Sequence, residues 1–308
     1  MILRPVRDDE EDAEAVRVIS AAALGASRTL PGDAPGAGGP DGSPAGGARS
    51  GAGDPGGAEA ARQRSRHRHL ARTDPGGCWI AQDEETGPLG AVLSSRREGT
   101  WGLSLLSVLP GAQGKGVGKA LMARAMVHGQ ACLRGVICAP PHPVAARTCR
   151  RAGFTLHPAM VLGGVVDPTG LAPLDGAVHP GTDRSRDLMD SVDRRTRGGA
   201  HGPDHEELLR HHRLLVVDDL AGSGYCYAHD DGVELLAATS RRLATRLLTA
   251  ALLTMPQGRP VRVPGLTAEQ EWAVDVGIAA GLTVANAGYV CLRGMRPPNP
   301  YLPSPSFL

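Results

Sequence analysis

The chain has 308 residues, enough for two domains that each bury a core of their own. Its 33 Lys and Arg almost balance its 32 Asp and Glu, so no global field draws it to nucleic acid, an anionic membrane or a strongly acidic substrate. The six cysteines form no C-x-x-C pair, which is typical of a reduced, cytoplasmic protein. The N-terminus lacks the basic start of a secretory signal, and no stretch is apolar enough to span a bilayer.

Hydrophobic periodicity predicts alternating strands and helices in the first half. The expected elements are a strand at 2–6, helices at 11–24 and 60–71, strands at 78–82, 89–95 and 101–108, a helix at 117–127, a strand at 135–139, a helix from Pro143 to 152 and a strand at 159–166. Gly153 is placed to cap the last helix. The three strands before residue 108 indicate an antiparallel meander.

Residues 31–57 interrupt this pattern. They are mostly Gly, Pro, Ala, Ser and Asp, a composition that buries too little apolar surface to offset the entropy of ordering the chain. We therefore predict a disordered insertion in the first domain.

The second half repeats the order of the first in weakened form. Residues 167–213 are polar and form a predicted connector with helices at 186–195 and 204–213. After it come a strand at 233–238, a helix at 243–253, a strand at 261–263, a helix at 268–279 and a strand at 288–294. A repeat of this length favours duplicated domains over a solenoid.

The segment from Val108 to Leu121, VLPGAQGKGVGKAL, leads from a strand through a glycine-rich loop into a helix. Such loops bind phosphates, because unpaired N–H groups and the positive end of the helix dipole meet the anion. The P-loop pattern fails, since Ala120 follows Gly118 and Lys119 where Ser or Thr is required. The dinucleotide pattern also fails, since Lys119 stands where its third glycine belongs.

The stretch Gln113-Gly-Lys-Gly116-Val-Gly118 resembles the acyl-CoA loop of the GNAT superfamily, Gln or Arg, two residues, Gly, one residue, Gly or Ala. The resemblance covers most of residues 1–166, including the helix that ends in Arg-Arg-Ala-Gly-Phe154. It implies an α/β fold of the α+β type, with two GNAT-like domains that are each a mixed, mostly antiparallel sheet flanked by helices. The expected division is a catalytic domain at 1–166, a helical connector at 167–213 and a degenerate GNAT-like domain at 214–308.

By the same resemblance, acetyl-CoA is the cosubstrate and the chain is an N-acetyltransferase that acts on a primary amine by direct attack. Its pyrophosphate would lie on backbone amides of the loop, and its pantetheine arm would pair with the end of the strand at 101–108. The implied cofactor-binding residues are Val108, Gln113, Gly114, Lys115, Gly116, Val117, Gly118 and Lys119. No nucleic acid, membrane or metal is implied, and the acceptor and the oligomeric state stay open.

The family's usual tyrosine, four residues before the Gly-Phe pair, is replaced by Cys149. A thiol is a weaker donor than a phenol, so Cys149 is a candidate acid beside the alternative of a small core residue. The second half offers the other candidates, which are Tyr225, Tyr227, Tyr289 and Tyr301.

Candidates for a general base are Glu98, His67 and His69, each also interpretable as a solvated surface residue. The apolar end of the chain, residues 301–308, is suited to tuck into a pocket and would bring a carboxylate with it. His205-Glu206 begins like a zinc-protease helix, but Leu209 stands where the second His is needed.

In the second half, the segment after the strand at 233–238 runs from Thr239 to Arg246 without a glycine. Side chains there would fill a phosphate site, so we expect a non-catalytic domain. The alternatives to an enzyme are an acyl-CoA-binding or sensing scaffold and a purely structural protein.

Overall fold

The computed structural model describes residues 1–27 and 55–308. The fold is a mixed α/β arrangement in which mostly antiparallel strands are flanked by helices, as the resemblance implied. Most of the expected insertion at 31–57 lies outside the described residues, and its last three residues begin a helix. None of the helices in the described ranges is both long and apolar enough to cross a membrane.

The described elements run in this order: β1 (Ile2–Pro5), α1 (Glu10–Ser27), α2 (Pro55–Thr73), β2 (Cys78–Asp83), β3 (Gly87–Arg97), β4 (Thr100–Val108), α3 (Val117–His128), β5 (Arg134–Ala139), α4 (Pro143–Arg151), β6 (Thr155–Val165), β7 (His179–Pro180), α5 (Arg186–Thr196), α6 (Asp204–His211), β8 (Arg213–Asp219), β9 (Gly222–His229), β10 (Gly232–Ala238), α7 (Arg241–Leu253), β11 (Pro260–Leu266), α8 (Glu271–Ala279), β12 (Thr283–Arg293) and β13 (Tyr301–Leu302).

The chain divides into two compact units. Unit 1 comprises residues 1–92 and 105–124, and unit 2 comprises residues 93–104 and 125–308. The division at residues 166 and 213 that the repeat suggests stays a prediction.

Unit 1 joins a strand pair to two helices. β1 pairs antiparallel with β2, from Ile2 opposite Gln82 to Pro5 opposite Trp79. Asp12, at the start of α1, is buried and accepts hydrogen bonds from the guanidinium groups of Arg4 and Arg7. These bonds outweigh the effect of its burial and lower the pKa of Asp12.

Unit 2 contains a sheet with the strand order β4-β5-β12-β6-β11-β10-β9-β8-β7, and β13 pairs with β10. The pairs β4–β5 and β10–β11 are parallel, whereas the other recorded pairs in this unit are antiparallel. Its larger apolar core lies where α7 and α8 pack on strands β9 to β12.

Strands from distant parts of the sequence alternate at the middle of this sheet. β12 lies between β5 and β6, and β6 in turn lies between β12 and β11. β6 and β12 therefore each pair on both sides with strands that are more than 90 residues away in sequence.

Most elements expected from periodicity are present, and the differences have physical reasons. Gly153 has φ +85° and its N–H bonds to the Arg150 carbonyl, which confirms the predicted cap of α4. The sequence did not predict β8 or β9. β9 is buried along most of its length, so it lacks the alternation that identifies a half-exposed strand. Gly224 lets it approach β10, because an added Cβ would lie 2.8 Å from the Ala238 Cβ atom.

Candidate functional site

The glycine-rich segment forms an exposed turn between β4 and α3 in unit 1. Gly114 and Gly116 have φ values of +76° and +85°, in the left-handed region that favours glycine. A Cβ atom at either position would meet no other atom within 4 Å. The glycines therefore set the direction of the backbone and leave open space above it.

Two hydrogen bonds hold this segment to the strands β4 and β3. The Gln113 side-chain amide donates to the Val108 carbonyl at 3.1 Å, and the Leu109 N–H donates to the Leu89 carbonyl of β3 at 2.9 Å. Gln113 thus ties the loop to the last residue of β4.

Helix α3 begins at Val117, and the bond from the Ala120 N–H to the Gly116 carbonyl, at 3.0 Å, closes its first turn. The N–H groups of Val117, Gly118 and Lys119 precede that bond, so they have no acceptor within the helix. An anion placed there would meet these donors and the positive end of the helix dipole.

The eight expected cofactor-binding residues therefore lie together on one strand end, one turn and one first helical turn. Val108 ends β4, residues 113–116 form the exposed turn, and residues 117–119 open α3. Val117 is buried, whereas Lys115 and Lys119 are exposed. The arrangement fits the binding of a phosphate group through backbone amides.

Cys149 lies on α4 in unit 2 and is buried, with 4% of its surface exposed. A hydrogen bond with the Cys291 thiol lowers the pKa of Cys149, and the same bond, together with burial, raises the pKa of Cys291. The side chain is thus part of the interior, as the core-residue alternative expects.

The four tyrosines all lie in described parts of unit 2, and three of them are buried. Tyr225, Tyr227 and Tyr301 are each at most 2% exposed. Tyr289 is partly exposed and lies on β12, opposite Ala139, the last residue of β5.

The candidate bases are not the solvated surface residues that the sequence suggested, with one exception. His67 and His69 of α2 are only 1% and 3% exposed. The face of α2 that carries these histidines packs into the interior of unit 1. The sequence did not predict this, because the many arginines of the helix made it look solvent-exposed. Glu98 of unit 2 is more exposed and forms an ion pair with Arg194, which lowers its pKa.

The residues at the end of the chain pack within unit 2, as their apolar character suggested. Phe307 and Leu308 are 3% and 1% exposed. The Leu308 side chain lies against Gly102 of β4, where an added Cβ would come within 2.9 Å of it.

The corresponding turn of the second half, between β10 and α7, consists of two residues. The Thr239 hydroxyl accepts from the Ser223 N–H at 3.0 Å, and Ser240 caps α7 by accepting from the Leu243 N–H at 3.4 Å. Arg241 and Arg242 follow in the first helical turn. Side chains of the chain itself thus engage this helix start.

Residues 52–154 match the model of the Acetyltransferase (GNAT) family. The chain carries a GNAT-family domain. Acyl transfer is the general reaction of the GNAT family, and the matched segment includes the glycine-rich turn and Cys149. No curated protein matches the sequence.

Three solved structures that resemble this chain over most of their own length are titled acetyltransferases or GNAT proteins. A putative acetyltransferase from Pyrococcus horikoshii is 15% identical with a TM-score of 0.68, over 96% of this chain and 89% of its own. A GCN5-related N-acetyltransferase from Sphaerobacter thermophilus is 12% identical with a TM-score of 0.55, over 95% of both chains. A tandem GNAT protein from the clavulanic acid biosynthesis pathway is 13% identical with a TM-score of 0.53, over 96% of this chain and 99% of its own. At these identities the likeness establishes the fold alone, and that fold extends over both halves of the chain.

Proposed function

We propose that this chain is an acetyl-CoA-dependent N-acetyltransferase that acetylates a primary amine. The observation that carries the proposal is the turn of residues 113–119, where two left-handed glycines lead into a helix start with unpaired N–H groups. A pyrophosphate bound there would receive several backbone hydrogen bonds without interference from side chains.

The distribution of charge supports a polyanionic cofactor. No Asp or Glu occurs between Glu98 and Asp167, although Lys115, Lys119 and several arginines do. A stretch with only positive charges favours the phosphates of coenzyme A. The same stretch offers no carboxylate as a general base, so the attacking amine must arrive neutral or lose its proton to a group outside it.

In the proposed reaction the amine nitrogen attacks the thioester carbonyl, a C–N bond forms and the C–S bond breaks. The departing thiolate takes a proton, and the amine loses one. Because a thiolate is a tolerable leaving group, positioning supplies much of the rate enhancement and proton donation adds a smaller part.

We propose Tyr289 as the proton donor in place of the family's usual tyrosine. A donor must reach the bound substrate, and Tyr289 is the one tyrosine of the described chain that is not buried. The buried Cys149, paired with Cys291, is the less favoured donor.

Replacing Tyr289 tests this assignment. Tyr289→Phe should lower kcat by about 10-fold or more with little change in the KM for acetyl-CoA, because it removes a proton donor and keeps the ring. Cys149→Ala is the matched control and should leave kcat within about twofold. A loss of kcat in the cysteine variant alone would transfer the role to Cys149.

The alternative is a protein that binds acyl-CoA without turning it over. Release of the free thiol from acetyl-CoA, measured with a panel of small amines, aminoglycosides and peptides, separates the two. Amine-dependent release supports the enzyme, and coenzyme A binding without release from any acceptor class supports the sensor.

One coenzyme A per chain is expected. The turn of Thr239 and Ser240 lacks both the length and the glycines of the first turn, and its own side chains engage the start of α7. Calorimetric titration that returned two sites would contradict this assignment.

A further inference from the structure

Two aspartates and two histidines form a cluster in unit 2 and have no role in the proposed acyl transfer. Asp190 and Asp193 are three residues apart on α5, His201 follows in a loop, and His205 lies near the start of α6. Asp193, His201 and His205 are fully buried, and ligand atoms from these three residues all lie within 4.8 Å of one another. Asp190 is 17% exposed and connects the cluster to solvent.

Two polar atoms in this cluster make no hydrogen bond to any described residue. They are the His205 Nε2 atom and the Asp190 Oδ1 atom, which lie 3.5 Å apart. The His205 Nε2 atom is also 3.3 Å from the Asp193 Oδ2 atom. A buried polar atom without a hydrogen bond is costly unless a further partner occupies the space that it faces.

Three of the chain's four tyrosines surround the cluster and orient its members. The Tyr225 hydroxyl donates to the Asp193 carboxylate, the Tyr227 hydroxyl is 3.2 Å from the His205 Nδ1 atom, and the Tyr301 hydroxyl is 3.3 Å from the His201 Nε2 atom. Each of the three buried members thus has a phenol behind it. Outer partners of this kind fix the tautomer and ring orientation of metal-binding histidines.

We propose that Asp190, Asp193, His201 and His205 form a binding site for a divalent transition metal ion, with Zn²⁺ as the best match. Two imidazoles and two carboxylates are a donor set that zinc accepts in tetrahedral sites. The two negative charges of the carboxylates balance the charge of the ion, so the bound cluster is neutral.

The separations from the His205 Nε2 atom fit such an ion, and binding requires two local changes. One is at Asp190, which is not among the three residues whose ligand atoms lie within 4.8 Å of one another and must turn toward the ion, and the other is at His201. Ligand atoms about 2.0–2.1 Å from a tetrahedral zinc lie about 3.3 Å apart, close to the 3.3 and 3.5 Å separations from His205 Nε2. The His201 Nδ1 atom is 2.8 Å from Asp193 Oδ2, which is a hydrogen bond. Metal binding requires that this bond open and that the His201 proton reside on Nε2, where the Tyr301 oxygen accepts it.

The position of the cluster indicates a structural role for the ion. It joins α5, the loop at 201 and α6 to one another, and the phenols link it to β9 and β13. An ion there would fasten the connector segment to the sheet of unit 2 and would stabilise the folded state by mass action.

A second group, His212, His229 and Glu234, is the natural comparison. Its ligand atoms also lie within 4.8 Å of one another, but all three residues are partly exposed. The His229 Nδ1 atom accepts a hydrogen bond from the Asp231 N–H, which places the remaining ring proton on Nε2. This group is therefore the poorer zinc site.

The test is metal analysis of the full-length protein after gel filtration and reconstitution with Zn²⁺ or Co²⁺. We expect one ion per chain, a visible absorption spectrum of tetrahedral Co²⁺, and a Tm that falls with chelator and recovers with Zn²⁺. His205→Ala should abolish binding, and Asp190→Asn, at a partly exposed position that tolerates the change, should weaken it at least tenfold. His229→Ala should retain the ion.

Three outcomes would overturn the proposal. The first is wild-type protein that takes up no Zn²⁺ or Co²⁺ and has the same Tm with and without the metal. The second is full retention of the metal both in Asp190→Asn and in a His205→Ala protein that is folded. The third is loss of the ion in His229→Ala alone, which would place it at the second group.

Discussion

His67 of α2 is a buried histidine whose environment favours the neutral ring. Its Nδ1 atom donates to the Ala13 carbonyl of α1 at 3.1 Å, and Arg66 donates to its Nε2 atom at 3.3 Å. Burial, and then the positive charge of Arg66, lower the pKa of His67 to about 3. In the unfolded chain this imidazole has its ordinary pKa near 6.5. Between pH 6.5 and 3 the unfolded chain therefore binds a proton at residue 67 that the folded chain does not bind.

This residue should make unit 1 sensitive to acid. Stability should be greatest above pH 6.5 and fall as the pH drops from there toward 3, by up to about 1.4 kcal/mol per pH unit. In His67→Gln, whose side chain keeps a donor for Ala13, the free energy of unfolding in urea should depend less on pH between 6.5 and 4.5. His179→Gln, at an exposed position, is the control and should keep the wild-type slope. Equal slopes in all three proteins would contradict the assignment.

At the scale of elements, the sequence predicted those parts whose signals are local. The glycine-rich turn, the capped helix α4 and the glycine-free turn of the second half each depend on neighbouring residues, so spacing was enough to predict them. The buried strand β9 and the cluster of Asp190, Asp193, His201 and His205 depend on tertiary packing. The spacing D-x₂-D-x₇-H-x₃-H matches no common zinc-binding sequence pattern. The phenols of β9 and β13 that contact the cluster come from distant parts of the sequence and meet it only in the folded chain.

The turn between β4 and α3 can be tested by a matched pair of glycines. Gly116 has φ +85°, so a valine there is strained and should redirect the N–H groups that precede α3. Gly111, in the single turn of 3₁₀ helix at 110–112, has no left-handed φ, and an added Cβ would meet nothing within 4 Å. Coenzyme A affinity by calorimetry should fall at least about tenfold, about 1.4 kcal/mol, in Gly116→Val and stay within about twofold in Gly111→Val. Similar affinity in both variants would remove the loop from the binding site.

At the scale of the whole chain, the sheet of unit 2 makes residues beyond 166 necessary for elements before it. β5 pairs with β12 from Gly135 to Ala139, and β6 has β12 on one side and β11 on the other. Leu308 also packs with Val136 and Ala159 in one apolar cluster. The second half therefore supplies paired strands and core side chains to the part of the chain that matches the GNAT family. This contribution does not depend on whether the second half binds a cofactor.

A chain cut after residue 166 should consequently fail to fold on its own. It would leave β5 with one free edge and β6 with two, and unpaired apolar strands of this kind associate with one another. We expect fragment 1–166 to aggregate and to bind no coenzyme A although it contains the entire glycine-rich turn. Co-expression with fragment 167–308 should restore a soluble complex that binds one coenzyme A, because β6 and β12 can then pair across the cut. Gel filtration and calorimetry measure both results. A monomeric 1–166 fragment with wild-type affinity for coenzyme A would mean that the pairing of β5 and β6 with strands of the second half is dispensable for the cofactor site.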